Sequence, residues 1–186
     1  MRKNLGSKPA MYPMPVLIVA AYGEDGTANA MTAAWGGIVD TNLLGICLSA
    51  GHKTTQNIFA KGCYTVSMAT ADYMTQADYL GIVSGNQEKD KLAKAGLHTS
   101  RSDFVDAPLI DELPMALECK LVSYDKSTGY LIGEIVNISV EESVLNEAGK
   151  VDPARLKPIT FDPMNNQYLV LGEKVGNAYQ EGKKLK

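Results

Sequence analysis

The sequence predicts a mainly β fold, an antiparallel barrel with several short helices inserted between its strands. Three observations carry that prediction. At least six short segments are apolar or alternate with a period of two, and most are bounded by turn-forming residues. One pair of them reads as a hairpin. Long helices do not alternate with these strands, which argues against a doubly wound parallel sheet and for a barrel.

Taken in order, Met14–Tyr22 (MPVLIVAAY) is apolar throughout, the mark of a strand buried on both faces. Gly23–Gly26 is a hairpin turn, and it leads into Thr27–Trp35 (TANAMTAAW), a run of small residues ending at the only tryptophan. Leu43–Ser49 and Cys63–Ala69 are two further strands. Between them, Thr54–Lys61 reads as a helix that opens on hydroxyl residues able to cap it and stops at Gly62. Ala71–Leu80 places Tyr73, Ala77 and Leu80 on one helical face, and Gln87–Ala95 is capped by Asn86 and ended by Gly96. In the hairpin, Met115, Leu117, Cys119 and Leu121 alternate with Glu118 and Lys120, and the turn spans Asp125–Gly129. Tyr130–Val140 then keeps the period through Ile132, Val136, Ile138 and Val140. Tyr168–Leu171 is a last strand, and Glu181–Lys186 a solvated end.

A chain of 186 residues suits one domain and buries roughly 70% of its unfolded surface, so neither disulfides nor metal are needed to fold it. Its net charge of −3 offers no general cationic field for nucleic acid or anionic lipid. Met14–Tyr22 has about half the length that spans a bilayer, and a turn rather than a cleavage site follows it. Cys47, Cys63 and Cys119 are odd in number and lie in apolar or alternating stretches, which reads as three buried free thiols in a cytoplasmic protein.

Several chemistries lack their signatures. There is no G-x-G-x-x-G after a strand, no Walker A sequence and no C-x-x-C, and His52 and His98 are not at metal-ligand spacing to any cysteine. Ser49 lacks the glycine of a nucleophile elbow. No catalytic side chain and no metal ligand is therefore assigned. Such a chain is a binding module or an enzyme whose cofactor carries the chemistry.

Three segments stand out. Asn29–Trp35 has small side chains that let a flat ligand approach the backbone, or that merely pack tightly. Ser49–Asn57 runs from a strand end into a helix N-terminus, where amides, hydroxyls, Lys53 and the helix dipole suit a phosphate, unless Thr54 is only a cap. Ser84–Leu92 alone reads as a charged loop entering a helix.

In this order and spacing the segments resemble the flavin reductase-like proteins of the FMN-binding split-barrel superfamily, of the flavoredoxin type. The resemblance runs through Pro13–Val19, the N-x-M-T core at Asn29–Thr32, Lys53-Thr54-Thr55-Gln56-Asn57-Ile58, Ser84-Gly85 with Asp90-Lys91, Ala107–Ile110, Leu117–Cys119, Gly133–Ile135 and Tyr168–Glu173. It covers about residues 11–182 of a single domain spanning 1–186. It implies a split β-barrel with Greek-key connections, a homodimer, and FMN held non-covalently in a redox protein. The FMN phosphate is implied at Lys53, Thr54, Thr55 and Asn57, the isoalloxazine along Asn29, Met31, Thr32 and Trp35, and the ribityl chain at Ser49 and Ala50. Lys91 or Lys89 would add positive charge, and Phe161 would cover the flavin. Many relatives carry a histidine where this chain has Ser127-Thr128-Gly129, so no histidine contact carries over. NAD(P)H as co-substrate, reduction by a partner protein, and plain flavin binding without redox chemistry all remain open at this point.

Overall fold

Val16 interrupts the first predicted strand. In the computed structural model, which describes residues 1–186, Met14–Pro15 (β1) and Leu17–Tyr22 (β2) belong to different sheets. β1 pairs with Ile159–Asp162 (β11), and the Thr160 hydroxyl both accepts from the Met14 amide and donates to its carbonyl. Pro13 and Pro15 have no amide to offer a central ladder, so the chain changes sheets there.

β2 then opens a seven-stranded antiparallel sheet. Its other members are Ala28–Ala33 (β3), Gly36–Asp40 (β4), Leu43–Cys47 (β5), Cys63–Met68 (β6), Met115–Asp125 (β9) and Tyr130–Val140 (β10), in the order β3-β2-β6-β9-β10-β5-β4. β3 and β4 are the two edges of this sheet, yet only Ala34 and Trp35 separate them in sequence. Three residue steps span at most about 11 Å, so the sheet must curl until its edges approach. Gly36 marks the corner: a Cβ there would meet the Leu17 side chain at 3.1 Å. The result is a split, half-closed barrel.

β2 is buried on both faces, as its uninterrupted apolar run requires. Leu17, Val19 and Ala21 point into the barrel with Ile46, Tyr64, Val66, Cys119 and Leu131. Ile18 and Ala20 point out against a second cluster with Ala77, Leu80 and Leu92. Each aliphatic side chain so buried contributes about 1.5–3 kcal/mol. A third sheet pairs Thr99–Arg101 (β7) with Pro108–Ile110 (β8), and Gln167–Val170 (β12) extends the sheet of β1 and β11.

Four α-helices fill the connections: Lys53–Lys61 (α1), Met74–Ile82 (α2), Lys91–Lys94 (α3) and Pro153–Leu156 (α4). Three differ from expectation, α4 because it has no counterpart among the predicted elements. Ala71–Tyr73 forms a 3-10 turn, so α2 proper begins at Met74 and runs two residues past Leu80. The helix expected over 87–95 shrinks to α3, because the Asn86 side chain donates through Nδ2 to the Gly51 carbonyl (2.9 Å) instead of capping. Cys63 and Cys119 are buried free thiols, but Cys47 is exposed on β5, where its thiol donates to the Thr128 carbonyl. No helix is long and apolar enough to cross a membrane.

Candidate functional site

α1 starts without a side-chain cap. His52 holds the N-cap position in extended geometry, and Gln56 is the first amide to bond back, to the His52 carbonyl (3.0 Å). The amides of Lys53, Thr54 and Thr55 have no acceptor in the chain. The alternative reading of Thr54 as only a helix cap is therefore not met. Its hydroxyl donates instead to Asn29 Oδ1 on β3 at 2.9 Å, with both residues buried. Thr55 Oγ1 is buried and has no partner at all. Unpaired donors at a helix N-terminus, backed by the positive end of its dipole, form an anion site.

Of these residues, Asn29, His52, Lys53 and Thr54 line a cleft of about 220 Å³. One wall is β3, with Asn29, Met31 and Thr32. Asn29 Oδ1 is engaged by Thr54, which leaves its Nδ2 as a fixed donor. The Thr32 hydroxyl is turned away, donating to the Ala77 carbonyl of α2. The second wall is the start of α1, with His52, Lys53 and Thr54. The third is the backbone from Leu80 to Gly85, where α2 ends. A Cβ on Gly85 would lie 2.4 Å from Asn29 Nδ2, so only glycine lets this segment press against the amide. Lys91 forms the floor. It is buried, and its ammonium donates to the Ala30 and Leu80 carbonyls at 2.9 and 2.7 Å. Burial pushes its pKa down to about 8. No carboxylate lines the cleft, so its two lysines set a positive interior.

The donor set fits a phosphate monoester carrying a flat group. The free amides at the start of α1 and one lysine suit the anion, and the small residues of β3 suit a ring. Of the thirteen residues implied as cofactor contacts, Asn29, Met31, Thr32, Lys53, Thr54 and Lys91 meet in this cleft. Thr55 is buried and lies outside the cleft lining. Asn57 is turned inward, its amide donating to the Ala21 carbonyl (3.3 Å), and it borders a separate depression with Glu24, Asp25 and Gln56. Ser49 and Ala50 are exposed on the link into α1, Lys89 is exposed in the segment before α3, and Trp35 is exposed past the end of β3. Phe161 packs on Tyr168 (ring centroids 6.0 Å apart) in the small sheet, outside the cleft lining. Sequence reasoning had not assigned His52 or the Leu80–Gly85 backbone to the site. The signal for the latter was Ser84-Gly85, a glycine next to a small polar residue ahead of a helix. A roomier depression, about 760 Å³ between α4 and the segment after β12, has Asp152 and Glu173 set against Lys157 and Lys174.

Residues 10–162 match the family described as "Flavin reductase like domain". Among solved structures, the chain is similar to flavoredoxin of Desulfovibrio vulgaris (Miyazaki F), with 36% identity, a TM-score of 0.94, and coverage of 98% of this chain and 100% of that one. It is also similar to flavoredoxin from Methanosarcina acetivorans, with 28% identity, a TM-score of 0.90 and full coverage of both chains. An uncharacterized protein of Aquifex aeolicus (strain VF5) is 25% identical over 159 residues, 79% of each chain.

Proposed function

Because the chain belongs to the flavin reductase-like domain family, we propose that it is a flavoprotein that holds FMN non-covalently and passes hydride or electrons between a donor and an acceptor. The observation that carries this reading is the start of α1, where three amides are unpaired and where Lys53 and Thr54 line the cleft. Lys53 and these amides bind the phosphate. Thr54 holds Asn29 in the rotamer that offers its Nδ2 hydrogens to the ring's polar edge. Met31, half-buried in the cleft lining, gives the ring apolar surface, and Lys91 keeps the floor positive. The bound flavin supplies the redox chemistry, while the protein supplies binding, orientation and electrostatics.

FMN should therefore bind more than tenfold tighter than riboflavin, because each charge-assisted bond to the phosphate contributes about 1.5–3 kcal/mol. Titration with both flavins tests this, and equal affinities would remove the phosphate from α1. Oxidation of NADH or NADPH with added FMN separates a reductase from a carrier reduced by a partner protein. A second copy of the chain is the proposed partner in assembly. A cleft of about 220 Å³ is smaller than the roughly 300–1,000 Å³ of ordinary ligand sites, so one chain encloses only part of a flavin. Trp35, Ile38 and Val39, exposed at the β4 edge, give that copy apolar surface. Light scattering of the loaded protein should give a dimer, and a monomer with full flavin content would contradict this.

A further inference from the structure

Lys91 is only 2% exposed, yet no carboxylate lies within ion-pairing distance of its ammonium. Its partners are two backbone carbonyls. Ala30 belongs to β3, and Leu80 lies in the last turn of α2, whose terminal carbonyls carry the negative end of the helix dipole. A buried full charge is thus matched by partial charges alone, on the floor of a cleft that receives anions.

We propose that Lys91 is a proton-coupled counter-ion of the cleft: a bound anionic ligand keeps its ammonium charged, so binding takes up a proton and weakens as the solution becomes alkaline. The inference rests on FMN being the ligand of this cleft. Desolvation supports it by bringing the free protein's Lys91 down to about 8, against 10.5 for an ordinary lysine. Surrounding groups do not supply the missing charge. β3 has no titratable side chain. On α2, Asp78 accepts from the Tyr168 hydroxyl at 2.8 Å, and Tyr79 makes no bond to Nζ. Glu88 is engaged by Lys94 and by the Asp90 amide, while Lys89 and Asp90 themselves are exposed. At α1, His52 and Lys53 add no negative charge.

Two opposite pH responses follow. Between about pH 8 and 10.5 the unfolded chain holds the lysine proton more tightly than the free folded protein does, so this residue makes the free protein more stable as pH rises. An anion nearby raises the lysine pKa by about one to three units, and each unit is tenfold in affinity, so FMN binding should fall about tenfold or more across the same window. Calorimetric titration with FMN at about pH 7 and about pH 9, in two buffers of different ionisation heat, counts the protons. Uptake at the higher pH and almost none at the lower is expected. Lys91→Arg keeps its charge throughout, and should bind FMN with no pH slope and no proton uptake. Wild-type binding that is independent of pH and of buffer overturns the proposal while leaving the FMN reading intact, and an unchanged slope in Lys91→Arg overturns it as well. Failure to bind FMN near neutral pH overturns both. If the arginine variant does not fold, the wild-type proton count decides alone.

Discussion

Two buried polar regions of this molecule are built in opposite ways. Around Glu118 on β9, every group is satisfied: its carboxylate accepts from the Ser102 hydroxyl and from Asn137 Nδ2 (2.7 Å). Ser102 Oγ in turn accepts the Phe104 and Val105 amides at 3.0 Å. Around the start of α1, donors are left over, with three amides, the Thr55 hydroxyl and an ammonium that has no counter-ion. Buried polar groups are normally paired, since each unpaired one costs about 1–3 kcal/mol. The first region is a latch holding the 102–107 loop to the barrel. The second would be completed by a ligand under the proposed function.

Substitutions can break that contrast. The largest effect is expected from Glu118→Leu, which strands Ser102 and Asn137 and should cost about 3 kcal/mol in urea unfolding. FMN affinity should stay unchanged, and a coupled loss of affinity would mean that the latch belongs to the site. Lys53→Met should behave the other way round. Its half-exposed side chain carries little packing, so unfolding should be unaltered while FMN affinity drops about tenfold. Thr55→Val keeps the shape and removes the orphaned hydroxyl, so the free protein should hold or gain up to about 1 kcal/mol, with weaker FMN binding. A destabilised free protein would show that the hydroxyl has a partner in solution.

The smallest effect concerns Asp162, another saturated acceptor. Tyr12, Asn165 and Gln167 side chains and the Met164 amide all donate to it, which holds its carboxyl well below the usual range. A depressed carboxyl stabilises the fold above its unfolded pKa of about 3.9, and that contribution is lost as pH falls below it. Asp162→Asn should therefore flatten the acid limb of a stability profile and leave the neutral region as a modest, uniform loss.

Much of the barrel could be read from residue types. An apolar run without alternation gave β2 its two buried faces, and the hairpin strand Tyr130–Val140 agrees to the residue. β4, β7, β8 and β11 escaped because each is five residues or fewer and finds its stability in a partner distant in sequence or at an edge. The helix expected from Gln87 failed for a similar reason, since Asn86 is used in a contact 35 residues away. In the cleft, side chains with recognisable chemistry were visible in the sequence: Asn29, Lys53, Thr54 and Lys91. The Leu80–Gly85 wall was not, because what it contributes is the Leu80 carbonyl and the missing Cβ of Gly85.

The pairing of β1 with β11 sets the order in which the chain can assemble. Met14 faces Phe161 across that ladder, so β1 has no partner until 147 further residues have been added. The β2–β3 hairpin can form early from neighbouring residues, whereas the small sheet must close a loop of well over a hundred residues. During synthesis the apolar Met14 edge must therefore wait unpaired, which makes the interval before β11 emerges the stage at which a chaperone would be of most use.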